Sequence, residues 1–262
     1  MKKKVNKIWA CCLILLGFIS NPSFGQEYQE YKDVAWNEPR SKDSAYYAMR
    51  EKASIPPFGL KKVQGLVEQQ SKKLPDEALV DYDTGISRAN FDKLSFEEKF
   101  TYTMIYPEIY SQACAERMFV FDPQNKIFGQ LLFVYNGVFW SERQLHFMKK
   151  NKKRIIDLII DQATQNHILG LNYKTALIEI DAWESIPFLI SFYQKNPKDK
   201  DILTTLLQLL KKSDLVGFEQ SKIYNKLYGE NTHSDSWINF SSANEEYIIE
   251  SAQALYKKRQ NQ

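Results

Sequence analysis

The sequence predicts an all-α fold, on three observations. Apolar residues recur at spacings of three and four, and strand-like alternation is hard to find. Helix-start signals stand ahead of several of these runs. Glycine and proline are sparse, with eight of each after position 25, and most sit where helices should start or stop. Together these predict about nine or ten helices joined by short turns.

Residues 1–25 read as a secretory signal. Lys2, Lys3, Lys4 and Lys7 precede an apolar run of twelve residues from Ile8 to Ile19, and Ser23 and Gly25 stand at −3 and −1 of a cleavage site before Gln26. Retention as an anchor is the alternative, but a span needs about 20 apolar residues. Lipidation is a weaker one, since Cys11 and Cys12 precede most of the apolar run. No later stretch is long and apolar enough to cross a bilayer. The mature chain is expected to be exported, to the periplasm or the medium.

Residues 26–122 read as an irregular helical region. Helical patterns run over Ser41 to Ala53 and Leu60 to Gln70, broken at Pro56, Pro57 and Pro75. Ser95 and Glu98 form a capping box, in which the serine oxygen accepts from the third helical amide and the carboxylate reaches back. The helix that follows should end near Tyr106, because Pro107 disfavours helical geometry in the residue before it. Pro107 suits the first turn of another helix, through Glu108, Ile109 and Ala113.

Residues 123–262 read as a second helical region, continuous with the first. Asp122 and Pro123 should open a helix through Ile127, Leu131, Leu132 and Tyr135, stopping at Asn136-Gly137. A hairpin across that Asn-Gly pair is the alternative. Ser141 and Gln144 form a second capping box, with Trp140 and Leu145 placed as its hydrophobic staple. Ser242 to Glu245 should open the last helix, which carries Tyr247, Ile248, Ala252, Leu255 and Tyr256 on one face. Lys257, Lys258 and Arg259 close it, where positive charge suits the helix dipole. Residues 229–242 read as a polar loop pinned by Trp237 and Phe240.

The stretch from Tyr173 to Asp214 is the most informative. It reads as a helix over Tyr173 to Ile180, a tight turn at Asp181 and Ala182, a helix over Trp183 to Tyr193, a polar turn over Asn196 to Lys200, and a helix over Asp201 to Lys212. With Ile186, Pro187, Phe188, Leu189 and Ile190 opening its second helix, this stretch resembles a HEAT-type repeat. Ile155, Leu158 and Ile159 align with Ile186, Leu189 and Ile190, and Val216, Phe218, Ile223 and Leu227 keep helical spacing in a degraded third copy. The resemblance spans residues 123 to 228 and implies a short superhelix of stacked helix pairs. An irregular helical bundle obeys the same packing rules.

Composition narrows the chemistry. The net charge of +3 rests on the signal segment; beyond it, 31 basic residues face 32 acidic ones, so pI gives no reason to expect a nucleic-acid partner. Cys114 is the only cysteine after residue 25, which leaves no intramolecular disulfide, and it reads as a small buried hydrophobe. No phosphate loop, nucleophile elbow or zinc motif is present. Asp81, Asp83, Gly85 and Asp92 resemble a calcium loop, but the glycine is at position 5 and position 12 is not glutamate, which favours a solvated turn. Lys149, Lys150, Lys152, Lys153 and Arg154 form a basic run that reads first as a solvated helix face and second as a site for anionic lipid or polysaccharide. His146, His167 and His233 are scattered.

No residue is assigned to catalysis, a cofactor or a metal. The leading expectation is an exported binding or scaffold protein whose partner is another exported or envelope protein. The alternatives are an immunity or inhibitor protein against a toxin, and an enzyme on envelope polymer using Glu97, Glu98, Glu108, Cys114 or His146. Aromatic residues make up 14% of the chain and suit a groove that grips a protein or a sugar. Amino-terminal sequencing of the exported protein should begin at Gln26; an intact Met1 would assign the segment to an anchor.

Overall fold

Helices dominate the described residues, five of them opened by a serine side-chain cap, and short strands lie in intervals between helices. The computed structural model describes residues 33–72, 82–83, 85–110, 118–132, 138–213, 215–233 and 235–262. The signal segment, Pro75, Asp81, Ala113, Cys114, Tyr135 and the Asn136-Gly137 pair lie outside the described residues. Asp33–Gln262 make one compact unit.

In chain order the first elements are β1 (Val34–Trp36), α1 (Ser41–Glu51), α2 (Leu60–Ser71), β2 (Tyr82–Asp83), α3 (Arg88–Asp92), α4 (Phe96–Ile105), β3 (Ile109–Tyr110) and β4 (Met118–Val120). Next come β5 (Lys126–Phe128), β6 (Val138–Phe139), α5 (Glu142–Lys150), α6 (Lys152–Asn166), α7 (Leu171–Glu179), α8 (Ile186–Lys195) and α9 (Asp201–Lys212). The chain closes with α10 (Val216–Glu219), α11 (Lys222–Tyr228), β7 (Trp237–Asn239) and α12 (Ser242–Gln260). The fold is all-α in character: helices dominate, and each strand has only two or three residues. Among the described residues no helix is long and apolar enough to cross a membrane.

Both capping boxes form. The Ser95 hydroxyl accepts from the Glu98 amide at 3.2 Å while Glu98 accepts from the Ser95 amide at 2.9 Å. Ser141 and Gln144 repeat the arrangement at the start of α5. Helix α12 is capped one residue earlier than expected, by Ser241, and buries Ile248, Ala252 and Leu255.

Three expectations are corrected. The described residues directly after Pro107 are not helical: Ile109 and Tyr110 form β3, between β2 and β6. Glu108 is held fully buried just before it, and the branched and aromatic residues that follow suit a strand. The described residues after Asp122-Pro123 form no α-helix either. Asp122 adopts a left-handed conformation, Pro123–Asn125 make one 3-10 turn, and the chain then extends as β5. Strand β5 pairs with β7, setting Ile127 against Ile238, and β6 pairs with β3. The segment 229–242 is consequently more than a polar loop: Ile238 is its buried anchor, flanked by the half-buried Trp237.

The core centres on α9, in which Ile202, Leu203, Leu206, Leu207, Leu209 and Leu210 are all fully buried. Helices α7, α8 and α12 and strand β5 pack around it. At its first residue, Asp201 accepts from Arg50 Nε at 3.1 Å through both oxygens. Both side chains are 1% exposed, and the guanidinium lies 3.8 Å from the Phe128 ring centre. This buried pair joins α1, α9 and β5. Beside it, Lys174 of α7 reaches Asp199 at 2.8 Å. Gly170, at the start of α7, must be glycine: a Cβ there would lie 2.2 Å from the Ser54 amide nitrogen.

Removing one partner of a buried pair strands the other charge. Arg50→Ala should therefore cost about 3–5 kcal/mol in urea unfolding. Lys153→Ala, which breaks an exposed pair with Asp157, should cost under about 1 kcal/mol. Similar losses in the two variants would contradict the assignment of Arg50.

Candidate functional site

The site is a groove between α8 and α12. Asp181 takes a left-handed conformation that reverses the chain after α7. Trp183–Ser185 make a 3-10 turn, and Pro187 then sits in the first turn of α8, where its missing N–H costs no hydrogen bond. Helix α8 buries Leu189 and Phe192 inward, and α12 docks on α9 through Ile248, Ala252 and Leu255. The two helices also touch each other, and the Trp183 and Tyr256 rings meet with centres 5.9 Å apart. Their outer faces leave a seam open to solvent.

Two concavities lie along that seam. One, of about 430 Å³, has Ile186, Pro187 and Ile190 on one wall and Gln253, Tyr256 and Lys257 on the other. The second, of about 510 Å³, is lined by Tyr193 and Pro197 opposite Glu245, Glu246, Ile249 and Glu250. Gln194 lines both, so they form one trough. Its apolar floor suits contact with a protein, and its polar groups are spread along the rim instead of converging on one point.

The electrostatics are asymmetric along the trough. The Tyr193 hydroxyl donates to Glu245 at 2.6 Å. Burial, and then the neighbouring carboxylate, push its ionisation far above the usual phenol range. Lys200 stands over the Phe240 ring at 4.1 Å, and partial burial holds its ammonium below the usual lysine range. Glu246, Glu250 and Lys257 have no ionic partner among the described residues.

Of the catalytic candidates named from sequence, Cys114 is outside the described residues and the others lie outside the trough lining. Glu108 is fully buried, accepting from Tyr102 at 2.7 Å, from Ser141, and from Arg143 Nε at 2.8 Å. Its oxygens are occupied by structure, and no substrate has access to them in this conformation. Glu97 pairs with Arg154, whose guanidinium lies 3.8 Å above the Phe96 ring. Glu98 serves the capping box and pairs with Lys62 at 2.8 Å, which lowers its ionisation below the usual carboxylate range. His146, His167 and His233 are all exposed and far from one another in sequence, and His167 caps α6 in a left-handed conformation.

Three of the five residues of the basic run are paired within the chain: Lys152 with Glu184, Lys153 with Asp157 and Arg154 with Glu97, while Lys149 and Lys150 are exposed at the end of α5. Of the calcium-loop residues, Asp83 lies on β2 and Asp92 ends α3, 3.8 Å from Arg88. Among the described residues no three metal-ligating side chains converge. The groove residues escaped sequence reading because α8 and α12 are separated by α9, α10, α11 and β7. The available signal was a second stripe on α12, Glu246, Ile249, Gln253 and Tyr256, beside the core stripe. No protein-family model, curated protein or solved structure matches the chain.

Tyr46, Tyr102, Tyr193 and Tyr228 all have hydroxyls whose ionisation is pushed up, first by burial. A raised native value means stability that is present below the unfolded phenol value of about 10 and lost as pH climbs through the native values. Absorbance titration at 295 nm should show these phenols ionising only as the chain unfolds in alkali. Ordinary reversible titration near pH 10 with the fold intact would contradict this.

Proposed function

We propose that this is an exported helical binding or scaffold protein that seats another exported or envelope protein along the α8–α12 trough. The observation that carries the reading is the trough itself, with an apolar floor, tyrosines from both helices and the rim charges Glu246, Glu250 and Lys257, which have no ionic partner among the described residues. Tyrosine supplies stiff, amphipathic contact area at small entropic cost. The α7–α8–α9 series, with its tight turn and its proline in the first turn of α8, supports reading this part as a HEAT-like unit. Such stacks use their helix faces for partners.

The enzyme reading draws no support from the carboxylates. Glu97, Glu98 and Glu108 each hold structural partners, and none lines the trough.

The test is capture by tagged residues 26–262 from the native cell envelope, after light crosslinking. Gln194 and Gln253 are exposed in the trough, so Gln194→Arg and Gln253→Arg should each change stability by under about 0.5 kcal/mol. Each should weaken partner capture at least about tenfold, or ~1.4 kcal/mol. A toxin as the captured partner would make the protein an inhibitor. A partner captured equally well by both variants would remove the trough from the proposal.

A further inference from the structure

We propose that the occupant of the trough is a second copy of this chain, with the two α12 helices antiparallel about a two-fold axis. This rests on the reading of the trough as a protein-binding surface, and it names the partner.

The argument begins with the order of residues along α12. From its N-terminal end, the side that lines the trough presents Ser242 and Glu245, the latter already bonded to Tyr193, and then Glu246, Ile249, Glu250, Gln253, Tyr256 and Lys257. The acidic residues lie in the first half and the base in the second. At 1.5 Å per residue, Glu246 and Lys257 stand about 16 Å apart. A partner that answers both must carry a cation and an anion at that separation, with apolar and neutral groups between. Helix α12 itself meets this description when its direction is reversed.

In a two-fold interface, residue i of one copy meets residue j of the other, and j meets i. With the axis near the middle of α12, Glu246 of each copy faces Lys257 of the other. Two ion pairs then form from two residues, while Glu250 meets the amide of Gln253. Ile249 and Tyr256 flank the centre on both sides. A parallel arrangement would set like charges opposite one another. Antiparallel helices also bring the positive end of one dipole beside the negative end of the other.

The charges are available for this role. Glu246 and Lys257 are exposed and have no ionic partner among the described residues. The basic run at the start of α6 has the opposite character, with Lys152, Lys153 and Arg154 paired within the chain.

Sedimentation of residues 26–262 over about 0.1–100 µM should show a dimer that weakens as salt rises. E246K and K257E should each weaken the dimer at least about tenfold, since each sets like charges face to face at two symmetric places. The double variant E246K/K257E restores opposite charges across the interface and should return to within about threefold of the parent. At concentrations low enough for the parent to be monomeric, thermal melts of all three variants should match it, because both positions are exposed. A monomer at every concentration, a dimer indifferent to the single reversals, or a double variant no better than the singles would overturn the proposal.

A photo-crosslinking residue at position 253 of the full chain, activated in the producing cells, separates this inference from the reading it rests on. A homodimeric adduct supports self-association. An adduct to a different protein overturns self-association and leaves the trough as a binding surface. A monomeric protein with no adduct overturns both.

Discussion

Helix α9 sets the terms for the rest of the molecule. Nine of its twelve residues are buried, so it has almost no face that tolerates water. A helix apolar nearly all round must be enclosed by neighbours. Helices α7, α8 and α12 and strand β5 supply them. Two of the buried polar residues on α9 are satisfied locally or by pairing: Thr205 donates to the Asp201 carbonyl at 2.7 Å, and the Asp201 carboxylate takes Arg50. An acidic side chain in the first turn also suits the positive end of the helix dipole.

Two buried carboxylates act as clamps between segments distant in sequence. Asp201 and Arg50 are 151 residues apart, and Glu108 and Arg143 are 35 apart. The first locks α1 and β5 onto α9. The second locks the end of α4 and the start of β3 onto α5, with Tyr102 and Ser141 completing the carboxylate's hydrogen bonds. Burying such pairs is costly compared with apolar packing, so their value lies in specifying one arrangement of segments. That explains why a buried glutamate, the residue type most suggestive of catalysis, here belongs to the scaffold.

The trough is a by-product of the same enclosure. Helices α8 and α12 both bury their inner faces against α9, and their rounded outer faces cannot close the seam between them. Its floor is therefore backed by the fully buried side chains of α9. A partner that docks there pays little to order it, which favours affinity.

Much of the helical architecture was legible in the sequence. The caps at Ser95 and Ser141, the stop before Pro107 and the entire series from α7 to α9 depend on residues within four positions of one another. Such signals act through local hydrogen bonds and backbone sterics, and a linear reading captures them. The strands were not legible. Two or three residues are too few to leave an alternation, and Ile127 is extended because Ile238 pairs with it, a partner that no neighbouring residue announces. For the same reason the stretch after Pro123 carries a helical pattern in sequence although its residues 126–128 are extended in the fold. The trough lay further out of reach, since it belongs to two helices brought side by side by a third. The sequence by itself determined where helices begin, end and turn their apolar faces. Only the tertiary structure decided which carboxylates are locked in pairs and which charges stay free, because pairing depends on distances between segments that the order of residues does not contain.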